Sequence, residues 1–213
     1  MTTYESNVES IYAAEIAKKW IAQNAIILDT ETTGLEWGCE VVEIAAIELA
    51  TGNIIMNTLV KPTTPIPDEV IAIHGITNDM VENAPEFNLV LIDLLETTLG
   101  REIVAWNASF DLRLLLSTLH ITMPFTVECQ LVPCIRQHSD NTNRWHCAML
   151  NYAQFRGDWN NAYGEYKWHS LDNAAKQMGI ELPSTRHRAL EDCQLAREVI
   201  LTMAAINNDK CPF

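Results

Sequence analysis

The chain has 213 residues, with 14 Lys and Arg against 28 Asp and Glu, for a formal net charge of −14 at pH 7. That length supports one sizeable α/β domain with its own core. The charge has the wrong sign for gripping nucleic acid by broad backbone electrostatics, so any nucleic-acid site here needs bound cations.

The opening residues, MTTYESNVES, lack the apolar run of an export signal. From Ser10 to Gln23, Ile11, Ala14, Ala17, Trp20 and Ile21 recur at helical spacing, which predicts an amphipathic helix in residues 1–24 ahead of a main domain spanning 25–213. Packing on the chain's own core explains that stripe more simply than docking to a partner does. Ala25 to Thr30 reads as a buried strand, followed by a turn, TTGLEWG. Val41 to Leu49 and Ile54 to Val60 are two more strands, joined at Thr51-Gly52-Asn53, so the three form an antiparallel meander. Lys61 to Pro67, with three prolines, is a loop. Pro67-Asp68-Glu69 starts a short helix, with proline first and acids in the first turn. Glu86 to Leu99 is a helix closed by Gly100, Glu102 to Trp106 a strand, and Phe110 to His120 a helix. The remainder alternates helices with a polar, aromatic stretch from Gly157 to His169, and closes on a helix from about Ala189 to Ile206. This order predicts an α/β fold with a mixed sheet, the antiparallel meander plus parallel strands, flanked by helices.

Six cysteines sit at irregular spacings, and the longest apolar runs are too short to span a bilayer. The expectation is a cytoplasmic protein with reduced thiols and no membrane partner. Cys129, Cys134, His138, His146 and Cys147 crowd one segment but match no regular zinc-ligand spacing. Charge is uneven: residues 1–111 hold 4 basic and 18 acidic side chains, residues 112–213 hold 10 of each. A phosphate backbone is expected against the second half.

The informative residues are acids. Asp29 and Glu31, two apart at the end of the first strand, point to the same face. Two like charges beside a core raise a pKa or demand a cation, and hard oxygen ligands favour Mg²⁺ or Mn²⁺. Asp192 shares a helical stripe with Ala196, Val199 and Met203, where an unpaired acid is costly unless coordinated. Asp111, in the first turn of its helix, taken alone is explained as a dipole complement. His187 lies five residues before Asp192, about 140° away on a continuous helix, so it reaches the same site only from the loop before that helix.

Asp29-Thr-Glu31-Thr-Thr-Gly34, Asn107-Ala-Ser-Phe-Asp111 and His187-Arg-Ala-Leu-Glu-Asp192 resemble, in order, the three motifs of the DEDD superfamily of 3′→5′ exonucleases. The third motif is in its histidine (DEDDh) version; the tyrosine version needs Tyr where Arg188 stands. His74-Gly-Ile-Thr77 resembles a segment of the branch that includes the proofreading ε subunit of DNA polymerase III. The resemblance implies a ribonuclease H-like fold and two Mg²⁺ ions, replaceable by Mn²⁺, roughly 3.5–4 Å apart. It implies that Asp29 bridges the ions, that Glu31 and Asp192 complete one, that Asp111 holds the other, and that His187 is the general base. Thr32, Gly34 and Leu35 are implied to line the terminal-nucleotide pocket, with Asn107 and Phe110 near the strand path and His74 also on the substrate side. The expected reaction releases nucleoside 5′-monophosphates from 3′ ends of single-stranded DNA. An RNA exonuclease of the same superfamily and a non-catalytic nucleic-acid-binding module are the alternatives, and a protein partner or homo-oligomer is left open. Aromatics mixed with Arg and Lys between Phe155 and Trp168 can stack bases or simply pack.

Overall fold

A computed structural model describes residues 3–136, 144–183 and 187–205. A five-stranded sheet forms its centre, in the order β3-β2-β1-β4-β5. Strands β1 (Ile26–Thr32), β2 (Val41–Glu48) and β3 (Ile54–Leu59) make the antiparallel meander. Strands β4 (Ile103–Ala105) and β5 (Trp145–Cys147) add in parallel beside β1. The mixed sheet inferred from the element order is therefore present.

Strand alternation sorts the core into two layers. Ile27, Ala45, Ile47 and Val104 face one layer, where α1 (Thr3–Ala22), α7 (Ala148–Arg156), α8 (Leu171–Gln177) and α9 (Ala189–Ala205) pack. Leu28, Ile44, Ile103 and Ala105 face the other, where α4 (Phe87–Thr98), α5 (Ala108–Thr122) and α6 (Phe125–Arg136) pack. Each large aliphatic side chain taken fully from water contributes about 1.5–3 kcal/mol, so a sheet apolar on both faces must be covered on both. Helix α1 is drawn in by Ala13, Ala14, Ala17 and Trp20, all buried, and lies along α7 and α9. Ser10 Oγ donates to the Phe155 carbonyl at 2.6 Å and fastens the α1–α7 contact.

Several boundaries differ from the sequence expectation. Helix α1 starts at Thr3 rather than Ser10, and α5 at Ala108 rather than Phe110. Strand β1 runs to Thr32, two residues beyond Thr30, because its pairing with β2 continues through Glu31 before the register shifts. The short helix α2 (Asp68–His74) follows Pro67 as expected, and a further turn, α3 (Asn78–Val81), is capped by the Thr77 side chain. Beyond His120, one of the alternating helices is α6, which tolerates Pro133 within it, and the three-residue β5 is a strand that the pattern does not mark. The aromatic stretch is a hairpin, β6 (Trp159–Asn160) with β7 (Glu165–Tyr166), stapled by edge-on contact of Trp159 with Tyr166 at 5.1 Å. Thr185, Arg186, His138 and the final turn expected at Ile206 lie outside the described residues. Among the described residues no helix is long and apolar enough to cross a membrane.

Candidate active site

Asp29 and Glu31 project from the same face of β1 as buried Ile27. The sheet pairing forces this: a straight extended strand cannot turn one of the two away without losing its ladder bonds to β2. Helix α9 packs across β1 and β2 through Cys193, Ala196, Val199 and Ile200, and so brings its first turn, with Asp192, to the same point. One potential ligand atom each from Asp29, Glu31 and Asp192 lies within 4.8 Å of the other two. Asp111, 3% exposed in the first turn of α5, is tied to the same strand from its other face: Thr30 Oγ1 donates to Asp111 Oδ1 at 2.9 Å.

Burial and mutual repulsion set the electrostatics. Loss of water is the largest effect on Asp29, and the strongest charges acting on it, from Asp111, Glu31, Asp192 and Glu43, are negative; its carboxyl is held well above the usual range. Glu31 is pushed up to about 8, first by burial and then by Asp192 and Glu43. Asp111 is pushed up to about 7 by burial, against the opposing hydrogen bond from Thr30. A cluster of this kind holds protons at neutral pH or exchanges them for a cation. Three converging carboxylates fit a divalent ion that prefers hard oxygen ligands, such as Mg²⁺ or Mn²⁺.

His187 is exposed and sits two residues before the start of α9, with φ +57. That left-handed backbone costs an L-residue about 1–2 kcal/mol, and its neighbours supply the compensation. Arg188 forms a two-pronged pair with Glu43 of β2, Nε to Oε2 at 3.0 Å and Nη2 to Oε1 at 2.5 Å. The Ala189 amide donates to the same carboxylate at 3.0 Å. Glu43 is 2% exposed and pairs across the strands with Glu31. In the sequence Val41 to Leu49 reads simply as a strand; an acid inside so apolar a run is the available signal that Glu43 has a partner.

His74, at the end of α2, is buried among Thr32, Glu43, Arg188 and His187. Its Nδ1 accepts the Ile76 amide at 3.0 Å, which leaves the ring proton on Nε2, and burial pushes its pKa down. Thr32 Oγ1 donates to the Gly34 carbonyl at 2.7 Å and shapes the turn after β1. A Cβ at Gly34 would come within 2.8 Å of Cys39 Sγ, so glycine permits that close approach. Leu35 is 69% exposed beside Trp37. Asn107 precedes α5 and accepts from Ser109 Oγ, and Phe110 lies half-buried under the Arg113 guanidinium at 5.4 Å. The thiol and imidazole groups that crowd the segment from Cys129 to Cys147 do not converge among the described residues: Cys129 and Cys134 are exposed on α6, and His146 is bound to Glu102 at 2.6 Å.

The exonuclease family model RNase_T matches residues 26–200. The chain is 39% identical over 192 residues to the uncharacterized exonuclease CP81 of Escherichia phage 186, covering 88% of this chain and 92% of that one. It is 31% identical over 180 residues to the DNA polymerase III subunit epsilon of Treponema pallidum, covering 83% and 74%. Among solved structures, Exonuclease X in complex with 5′-overhanging duplex DNA superposes with a TM-score of 0.54 at 29% identity, over 87% of this chain and 95% of that one.

Proposed function

The chain belongs to the RNase_T family of 3′→5′ exonucleases, and on that premise we propose that it releases nucleoside 5′-monophosphates from the 3′ ends of single-stranded DNA with two divalent ions and a histidine base. The observation that carries this reading is the convergence of Asp29, Glu31 and Asp192 within 4.8 Å at the end of β1. These three would hold one ion, and Asp111 with Asp29 the other. Divalent ions held there supply Lewis-acid stabilisation of the attacking and leaving oxygens. Mg²⁺ is the ion proposed, with Mn²⁺ a substitute of the same hard character.

His187 takes the proton of the attacking water. Its exposed ring faces the solvent from which that water comes, and an imidazole with a reference pKa of about 6.5 is suited to accept a proton near neutral pH. The water oxygen bonds to the terminal phosphorus as the bond to the preceding 3′ oxygen breaks, and that oxygen leaves with a proton from solvent. His74, Thr32, Gly34 and Leu35 are proposed to receive the terminal nucleotide, and Asn107 and Phe110 to line the strand's approach. Exposed Leu35 and Trp37 offer apolar faces on which unpaired bases can stack.

DNA is favoured over RNA by relatives that are subunits of DNA polymerase III. A second reading, attack on the recessed 3′ end of a duplex, is favoured by Exonuclease X, which is described in complex with 5′-overhanging duplex DNA. The test digests end-labelled single-stranded DNA with a free or a blocked 3′ end, 5′-overhanging duplex, blunt duplex and RNA side by side, with Mg²⁺, with Mn²⁺ and with EDTA. Fastest loss of nucleotides from the free 3′ end of single-stranded DNA is expected. Faster attack on the overhanging duplex selects the second reading, and undiminished attack on a 3′-blocked strand overturns both.

A further inference from the structure

The acid cluster explains Asp29, Glu31, Asp111 and Asp192 but leaves a fifth acid beside them, itself buried. Glu43 lies directly across the ladder from Glu31, 2% exposed, on the face that carries the metal-site acids. Residues opposite each other in an antiparallel pair have side chains on one face, and like charges there repel. Glu43 is nonetheless not a free carboxylate: one oxygen takes Arg188 Nη2 at 2.5 Å, and the other takes Arg188 Nε at 3.0 Å and the Ala189 amide at 3.0 Å.

This places two anchors on consecutive residues, one by side chain and one by backbone, both on one carboxylate of the rigid central sheet. The residue just before them is His187, whose φ of +57 departs from the ordinary backbone. The first turn of α9 just after them carries Asp192. A planar guanidinium gripped at two atoms fixes orientation as well as distance, which a single hydrogen bond does not. The clamp therefore ties the approach to α9 to the strand opposite Asp29 and Glu31.

We infer that Glu43 and Arg188 are positioning residues that hold His187 in its left-handed backbone and aim its imidazole at the water beside the acid cluster. The inference rests on the reading of His187 as the base. It predicts that the clamp contributes to the rate through the histidine, and not through metal binding or general stability.

The test measures kcat and KM for single-stranded DNA, the Mg²⁺ concentration giving half-maximal rate, and thermal melting. The variants are Glu43→Gln and Arg188→Gln, each alone and combined with His187→Ala. Alone, each variant is expected to lower kcat by about 10–100-fold, the range for groups one remove from the reacting atoms, with KM and the Mg²⁺ requirement within about threefold of wild type. In the His187→Ala background the same substitutions are expected to change kcat by less than about twofold, because the group they aim is gone. Equal fold-losses in both backgrounds overturn the inference while leaving His187 as the base. A raised Mg²⁺ requirement overturns it in favour of support for the acids. Full activity in His187→Ala overturns the base assignment, and the inference with it. Melting of each protein at the assay temperature separates a displaced histidine from an unfolded chain, and the Arg188→Gln arm stands if Glu43→Gln does not fold.

Discussion

Two neighbouring strands present acids to opposite surroundings. On β1, the charges that act most strongly on Asp29 are all negative, and Glu31 is pushed up to about 8 by burial and by other acids. Just before β2, Glu40 is 1% exposed and accepts four hydrogen bonds, from the amides and hydroxyls of Thr63 and Thr64 at 2.8–3.2 Å. Glu43, three residues on, is held by Arg188 and the Ala189 amide. Glu40 and Glu43 are buried, while Asp29 and Glu31 are half-buried, so depth alone does not make the site. What separates a site from a brace is whether the fold itself supplies donors; where it does not, the acids are left for an ion.

The largest effect should come from breaking the β1 side. Asp29→Ala and Asp192→Ala are each expected to reduce turnover to that of the EDTA-treated enzyme, a loss beyond the 10–100-fold typical of groups one remove from a metal. Melting without metal should hold or rise, because removing one acid relieves repulsion among the rest. Near-normal turnover would remove these two as ligands, and a large fall in melting temperature would make them braces like Glu40.

Next in size is His187→Ala, expected to lower kcat by about 10²–10⁴-fold with the metal requirement intact. Comparison of kcat with the Mg²⁺ dependence decides between base and ligand: a weakened Mg²⁺ response would move His187 into the ion's own shell.

The raised acids also predict a pH effect on the metal-free protein. Folded-state values of about 7 for Asp111 and about 8 for Glu31 lie above the ordinary carboxylate range of an unfolded chain. Between the unfolded and folded values the folded state binds more protons, so stability falls as pH rises through that window. In EDTA, melting temperature is therefore expected to drop from pH 5 to pH 8, by several degrees at about 2–4 °C per kcal/mol for a chain of this size. Mg²⁺ added at pH 8 should recover most of the loss. A flat EDTA profile would show that these acids are already satisfied.

The smallest effect belongs to the brace. Thr63→Ala removes one hydroxyl donor from Glu40 and is expected to cost about 1 kcal/mol of stability with turnover within about twofold of wild type. Turnover falling further than melting would join Glu40 to the site and blur the contrast with β1.

Asp29 and Glu31 were readable as a pair because a period of two needs only the strand itself. The three motifs in order pointed to the exonuclease family, which the family match over residues 26–200 bears out. The mixed sheet followed from element order alone. Strand β5 escaped because three residues carry no periodicity, and α6 was legible only as one of the helices alternating after His120, without bounds. The hairpin β6–β7 escaped because two-residue strands carry no alternation to read.

By itself the sequence determined which acids share a face of β1, which acid opens α5 and which residue precedes α9, since each depends on spacing within one element. Only the tertiary structure decided which buried acids are satisfied. Thr30 reaches Asp111 across 81 residues and Arg188 reaches Glu43 across 145. Such pairings arise when whole elements pack on the sheet to bury apolar surface, and no local pattern records where a distant guanidinium will come to rest.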